Sequence, residues 1–337
     1  MRVFIAWILL FVFAHPVLGE TEAVKDGFYD EKDSEGTLVR TAEYRYGQLN
    51  GHFRTYYPDG RINGTGTYLN GKLEGMALGF WPDGVMKVKS FYKQGVPHGK
   101  STLYYKNGKP QAEIEYINGE QDGFSREYDE QGRPWRLRHF VWGKENGFSK
   151  EFYPDTGAVH FEYEYKKGRQ SGLIREYHPG GRIKGAYQSV DGSKTGLGME
   201  FYPTGQLSRE GNFKDDQWDG LVTNYYLSGA VLSKVHYKNG RKDDEFWQQF
   251  YETGQPMSAV KVVDDKKQGM AYEYFTNGKP KSVGTFSDDK RQGIFKEYDQ
   301  EGRLVAEDEY KDDVIRYHRE YNAQGKLLVE KIYYNPS

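Results

Sequence analysis

Side chains able to do chemistry are scattered through this chain without a catalytic pattern. Beyond His15 the histidines are His52, His98, His139, His160, His178, His236 and His318, at unrelated spacings. None forms a His-Glu-x-x-His pair or keeps a carboxylate at a fixed offset, so neither a zinc site nor a general base is indicated. Cysteine is absent, which removes thiolate ligands, a cysteine nucleophile and disulfide staples. Ser and Asp are plentiful, but none stands in a nucleophile elbow, and no Gly-rich loop opens a helix to hold phosphate. The expectation is therefore a chain that is not an enzyme, with no cofactor and no metal.

Two other groups recur with a period. Asp215-Asp216, Asp264-Asp265, Asp288-Asp289 and Asp312-Asp313 share one repeat phase. Calcium ligands sit at about 2.3–2.6 Å, whereas such pairs in neighbouring hairpins would lie roughly 10 Å apart, so turn chemistry accounts for them better than an ion does. The second group is aromatic: Tyr57, Trp81, Tyr105, Tyr153, Tyr202, Tyr226, Tyr251 and Phe275. Asp129, His178, Asp299 and Asn322 replace the ring elsewhere in that column. A core position would not accept Asp, so these rings should be at least half exposed. Exposed Tyr and Trp are favoured at binding hot spots, which makes the row the candidate binding surface. Packing of neighbouring rings along the sheet is the competing account.

The elements that carry these residues follow from the glycines. One series runs Gly36, Gly60, Gly84, Gly108, Gly132 and onward to Gly325, almost always 24 residues apart. A second interleaves it as Gly51, Gly75, Gly99, Gly123 and onward to Gly293, with Asp244 and Tyr317 standing in at two places. Two turns per period leave segments of about eight residues, which is strand length. Pro58-Asp59-Gly60 suits a three-residue loop with a left-handed glycine, and Asn70-Gly71 or Asn118-Gly119 suits a tight hairpin turn. The fold class is all-β: an elongated single-layer antiparallel meander of tandem hairpins of about 24 residues, in the manner of a solenoid.

Regular alternation from the Pro-Asp-Gly loop would put Tyr56, Phe80, Tyr104 and Tyr128 on one structural face, opposite Ile62, Met86, Pro110 and Pro134. A second aromatic column, Tyr68, Tyr92, Tyr116 and Phe140, would share that face, and Lys87, Lys89, Glu113 and Glu115 would take the other.

Composition bounds the rest. The chain has 337 residues and a net charge of −2, with 29 Tyr, 19 Phe and 41 Gly. Near-neutral charge argues against nucleic acid, and so many aromatics argue against disorder. Met1-Arg2 followed by the apolar run Val3 to Ala14 and a small residue at Gly19 describes a signal peptide, with cleavage expected after Gly19. The organisation expected is residues 1–19 as signal peptide, 20–50 as an incomplete or capping repeat, and 51–337 as tandem repeats. No later stretch is apolar enough for a transmembrane segment, so the mature chain should be exported, periplasmic or extracellular.

The recurring pattern of Gly99 to Gly108 through Tyr116-Ile117-Asn118-Gly119-Glu120-Gln121-Asp122-Gly123 resembles the MORN repeat. It is most similar to the variant in bacterial YwqK-family antitoxin proteins, across about residues 27–337. That resemblance implies a hairpin ribbon and a scaffold that binds a protein partner or a copy of itself. Glycan or cell-wall binding through the Tyr and Trp row is the alternative, with antitoxin-like sequestration of a partner protein behind it.

Overall fold

The structure is a computed structural model that describes residues 26–242 and 246–333. The expected signal peptide and Asp244 lie outside the described residues. Every regular element among those residues is a β-strand. They fall into two compact units that divide between Arg169 and Gln170.

In the first unit the strands run from Gly27–Lys32 to Val159–Lys166, each antiparallel to the one before it. The second unit repeats the plan from Ile183–Val190 to Leu327–Ile332. Full strands are eight or nine residues long, as in Ile62–Leu69 and Gln48–Tyr56, close to the length expected from the glycine spacing.

The two kinds of turn follow their residues. At Pro58-Asp59-Gly60 the Tyr57 N–H donates to the Arg61 carbonyl at 2.8 Å, and Gly60 closes the loop at φ +82°. At the opposite end Asn70 and Gly71 both take left-handed backbone, φ +50° and +77°. The Gly71 N–H there reaches back to the Leu49 carbonyl of the preceding hairpin at 2.8 Å, so successive tight turns are hydrogen-bonded to one another.

Two bulges per repeat correct the expected faces. One follows every Pro-Asp-Gly-type loop: Tyr56 pairs with Ile62, but Thr55 pairs with Gly64, leaving Asn63 as the extra residue. The extra residue reverses the alternation, so Tyr56 lands on the charged face. Its hydroxyl lies 3.2 Å from Thr41 Oγ1, and Tyr128, Tyr225 and Tyr321 likewise donate to Glu113, Glu210 and Glu307. The Tyr56 column is therefore not on the apolar face, and its partners Ile62 and Ile183 are exposed. The second bulge sits at the other glycine series, which does not form turns. Ala42 pairs with Phe53 while Tyr44 pairs with Leu49, so the outgoing strand carries extra residues around Gly51. That glycine faces Tyr68 across the ladder, and its equivalents Gly75 and Gly99 face Tyr92 and Tyr116. The position requires glycine for its backbone, with φ +125°, +74° and +93° at Gly51, Gly75 and Gly99.

The inner face of the first unit is closed by Ala42, Tyr44, Phe53, Tyr68, Ala77, Val88, Tyr92, Leu103 and Ile114, all buried. Phe53 packs on Tyr68 with ring centres 4.8 Å apart. The second unit buries Val222, Val235 and Val262 and lays cations on rings, with Lys194 Nζ 3.8 Å from Tyr187 and Arg291 3.9 Å from Tyr310. The second aromatic column is thus on the inner face as expected. The buried column Phe53, Ala77, Ser101, Ser125 and Ser149 beside it was not anticipated.

Candidate functional site

The aromatic row lies at the mouth of each Pro-Asp-Gly-type loop, where the first residue of the turn leaves the strand. Tyr57, Trp81, Tyr105, Tyr153, Tyr202, Tyr226, Tyr251 and Phe275 are all half-buried, which corrects the expectation that they stand at least half exposed. For Tyr57, Tyr105, Tyr202, Tyr226 and Tyr251 the reason is a bond that sequence reasoning missed. Tyr57 donates its hydroxyl to the Phe80 carbonyl at 2.8 Å, one repeat further on. Tyr105, Tyr202, Tyr226 and Tyr251 do the same to Tyr128, Tyr225, Phe250 and Tyr274, at 2.7–2.9 Å. His178 makes the equivalent contact through Nε2 to the Phe201 carbonyl at 3.1 Å. Burial raises the pKa of Tyr57 and Tyr105, so these phenols stay protonated and able to donate at neutral pH.

Where the column changes residue, it changes strategy. Asp129 accepts from the N–H groups of Gln131 and Arg133 in its own loop, and its pKa is lowered by those bonds and by the Arg133 guanidinium despite opposing desolvation. Asn322 caps Gln324 and Lys326 in the same way. The column holds a loop either to its successor or to itself. Trp81 has neither bond: its indole Nε1 is buried without a partner among the described residues, and Lys87 and Lys106 lie 4.7 and 5.6 Å from the ring centre.

The Asp pairs do turn chemistry. Both members of Asp288-Asp289 adopt left-handed backbone, φ +48° and +68°, where other repeats place Asn-Gly. The second Asp offsets that strain by reaching the preceding repeat. Asp216, Asp265, Asp289 and Asp313 accept from the backbone N–H of Lys194, Lys242, Lys267 and Arg291 at 2.8–3.0 Å. His318 is held between two acids, with Nδ1 2.6 Å from Asp308 and Nε2 2.9 Å from Glu320.

Exposed apolar side chains mark a different surface. On the outer face, directly after the bulge glycine, four repeats of the second unit present Leu197, Leu221, Met270 and Ile294, exposed by 49, 50, 41 and 56%, while Leu173 is half-buried and His52, Lys100 and His318 take the position in other repeats. Met76, Phe124 and Phe148 hold the same position in the first unit, also exposed. A sheet gains nothing in stability from apolar groups left in water at one fixed repeat position. The signal is present in the sequence as the apolar residue that follows Gly75, Gly123, Gly147, Gly196, Gly220, Gly269 and Gly293, but it is readable only once that glycine is known to be a bulge and not a turn.

On the inner face of the first unit a groove of about 1140 Å³ opens between residues 103 and 168. It is lined by paired acids and bases together with aromatic rings.

Among known proteins, six stretches match the family described as MORN repeat variant: residues 49–70, 97–118, 194–215, 218–239, 267–288 and 291–312. No curated protein matches the chain. Solved structures with a related chain path include the TcdB2-TccC3-Cdc42 complex, at 9% identity over 90% of this chain and 22% of that one, TM-score 0.15. The TcdB2-TccC3 structure follows at 13% identity, covering 90% and 18% of the two chains, TM-score 0.15. A Tc holotoxin pore from Photorhabdus luminescens shares 12% identity over 90% and 18%, TM-score 0.13. The chain spans about a fifth of the length of each.

Proposed function

Because the chain belongs to the MORN repeat variant family, we propose that it is a non-enzymatic scaffold, exported by its N-terminal segment, that holds a protein partner on the outer face of its sheet. The observation that carries this reading is the row Leu197, Leu221, Met270 and Ile294. Four apolar side chains recur at one repeat position and remain open to water. A partner with an apolar face covers such a row strand by strand, and the glutamates of the same face, such as Glu210 and Glu307, supply a polar rim. The hydroxyls of Tyr202, Tyr226 and Tyr251 play a supporting part, holding one loop to the next so that the row stays in line.

The test uses the full chain recovered from its native envelope. Leu221→Lys and Ile294→Lys should each remove one partner protein, by about tenfold or more in recovery, while Tyr105→Phe leaves it bound. A partner list unchanged by both lysine variants ends the reading, as does light scattering in which the row is covered by a second copy alone. Export is checked separately: N-terminal sequencing of the chain found outside the cytoplasm should begin at Glu20.

A further inference from the structure

The inner face of the first unit changes its chemistry between residues 116 and 127. The first hairpin opens its columns with the buried pair Glu31–Arg40, and from Thr55 to Ala112 they then carry no charge. Gly79 pairs with Val88 and Leu103 with Ala112, flanked by buried Ser90 and Ile114. One repeat further the same ladder positions hold Glu127 opposite Arg136, with Arg138 beside them, and Glu151 follows in the next hairpin. These charges are not strays on a solvated edge. Arg138 is paired with Glu127 at 16 and 10% side-chain exposure, Arg136 holds Glu151 at 2.7 Å, and Ser149 donates to buried Glu145 at 2.7 Å. The array carries a single such pair at Glu31–Arg40 and at Glu200–Arg209, whereas here consecutive pairs share one surface, and stability alone does not favour them over packed apolar side chains.

These pairs line the groove of about 1140 Å³, somewhat above the roughly 300–1,000 Å³ of sites that enclose small organic ligands. Its floor includes the buried rings of Tyr116 and Phe140, and Tyr163 and Tyr165 stand on its side. The guanidinium of Arg136 lies 4.5 Å from the Trp135 ring centre and that of Arg138 5.4 Å from Phe140, so both planes are fixed against aromatic surface.

We propose that this groove binds a neutral oligosaccharide. Each acid at its centre is already answered by an arginine or a hydroxyl, so a cationic ligand would have to break a pair to be recognised. The buried Nε–H of Arg138, without a partner among the described residues, is left to donate to a hydroxyl oxygen. Sugar hydroxyls both donate and accept, and they can bridge the open edges of an Arg–Glu pair without separating it. Apolar ring faces of a sugar match the Tyr side walls. An extended peptide is the competing occupant by shape, but the strands beneath the groove are already paired on both sides, so there is no free strand edge for it to join.

The test is a binding screen of the full-length chain on an immobilised array of neutral and acidic oligosaccharides, followed by titration of the best neutral compound. Fluorescence of Trp135 is one readout and calorimetry the other. A neutral sugar should bind saturably, with an affinity little changed by salt. Glu151→Gln, at a position 34% exposed, should weaken it by about tenfold or more. Gln111→Trp, which fills the mouth of the groove from an exposed position, should weaken it as much while leaving the strand signal intact. Binding only to acidic sugars, no binding to any neutral one, or a neutral sugar indifferent to both substitutions overturns the proposal. The lysine variants of the outer row should leave sugar binding unchanged, which keeps this result separate from that of the docking test.

Discussion

The phenol of Tyr57 spans one full repeat to donate its hydroxyl to the main-chain carbonyl of Phe80, 2.8 Å away. A repeat array has only nearest-neighbour contacts to hold it in register, so a bond from each loop to the next acts on the term that sets cooperativity. The same bond recurs from Tyr105, Tyr202, Tyr226 and Tyr251, always to the last strand residue before the following loop. It ties the loop edge together in the way that the Gly71 N–H to Leu49 carbonyl bond ties the tight-turn edge.

Removing one such hydroxyl should be felt globally. Tyr105→Phe keeps the ring and leaves the Tyr128 carbonyl without its donor, at a cost of about 1 kcal/mol. Tyr202→Phe should cost a similar amount, and the two should add, because they lie in different units. Denaturant unfolding of the single and double variants measures this. Unchanged midpoints would mean that the bonds contribute nothing net over water.

Close packing makes a second prediction at Gly66. This glycine faces Phe53 across the ladder, and a methyl group there would stand 2.8 Å from Phe53 Cε1 and 3.2 Å from Ala77 Cβ. The ring is itself buried against Tyr68 and has little room to move. Gly66→Ala should therefore destabilise the first unit by about 1–3 kcal/mol, typical of overpacking. Gly84→Ala provides the contrast. It meets no neighbour, so any cost there comes from its left-handed backbone alone, φ +85°. Thermal unfolding, with loss of the near-ultraviolet aromatic signal only for Gly66→Ala, would separate the two causes.

At the Asp pairs the conformation and the hydrogen bond pull in opposite directions. Asp289 sits in left-handed backbone, which Gly adopts more readily, yet its carboxylate caps the Lys267 N–H at 2.8 Å. Asp289→Asn keeps both features and should be nearly silent. Asp289→Gly exchanges strain for a lost cap and should be close to neutral, whereas Asp289→Ala loses the cap and keeps the strain. Hydrogen exchange at the Lys267 amide is the readout, and Ala should be the fastest of the three. Equal exchange in Ala and Asn would show that the carboxylate does not cap.

Much of this architecture could be read before any coordinates. The glycine period, Pro58-Asp59-Gly60 and Asn70-Gly71 give the hairpin unit directly, because their backbone requirements are local. The faces could not be read so simply. Tyr56 and Thr55 look equivalent to any alternating strand, and only the extra residue at Asn63 sends the Tyr56 ring to the charged side. A similar shift explains the candidate surfaces. Leu221 and Ile294 resemble ordinary strand residues until Gly220 and Gly293 are seen as bulges. Glu127 and Arg136 resemble surface charges until their ladder positions are matched to Leu103 and Ala112. The row from Tyr57 to Phe275 has a place at the loop mouths that follows from the glycine period. Its hydroxyl bonds could not be inferred, since their acceptors are main-chain carbonyls some 23 residues away.

His318 makes the C-terminal hairpin sensitive to pH. The imidazole is gripped by Glu320 through Nε2 and Asp308 through Nδ1, and these bonds, in that order, raise its pKa above the usual 6.5 against a smaller opposing effect of burial. Tyr310 also donates to Asp308, and Arg319 on the same strand is engaged by Glu330. A group whose pKa is higher in the folded state is stabilising in its protonated form. Its contribution is complete below the ordinary histidine value and disappears as pH rises through the raised one. The strands Val314–Tyr321 and Leu327–Ile332 should accordingly show slower amide exchange, corrected for intrinsic rate, at pH 5.5 than at pH 8. His318→Gln, which can hydrogen-bond but carries no charge, should remove that difference while leaving the exchange of Ile62–Leu69 unaltered. If the terminal hairpin instead became better protected as pH rose, or if the glutamine variant kept the same dependence, the imidazolium would not be the group that holds these strands.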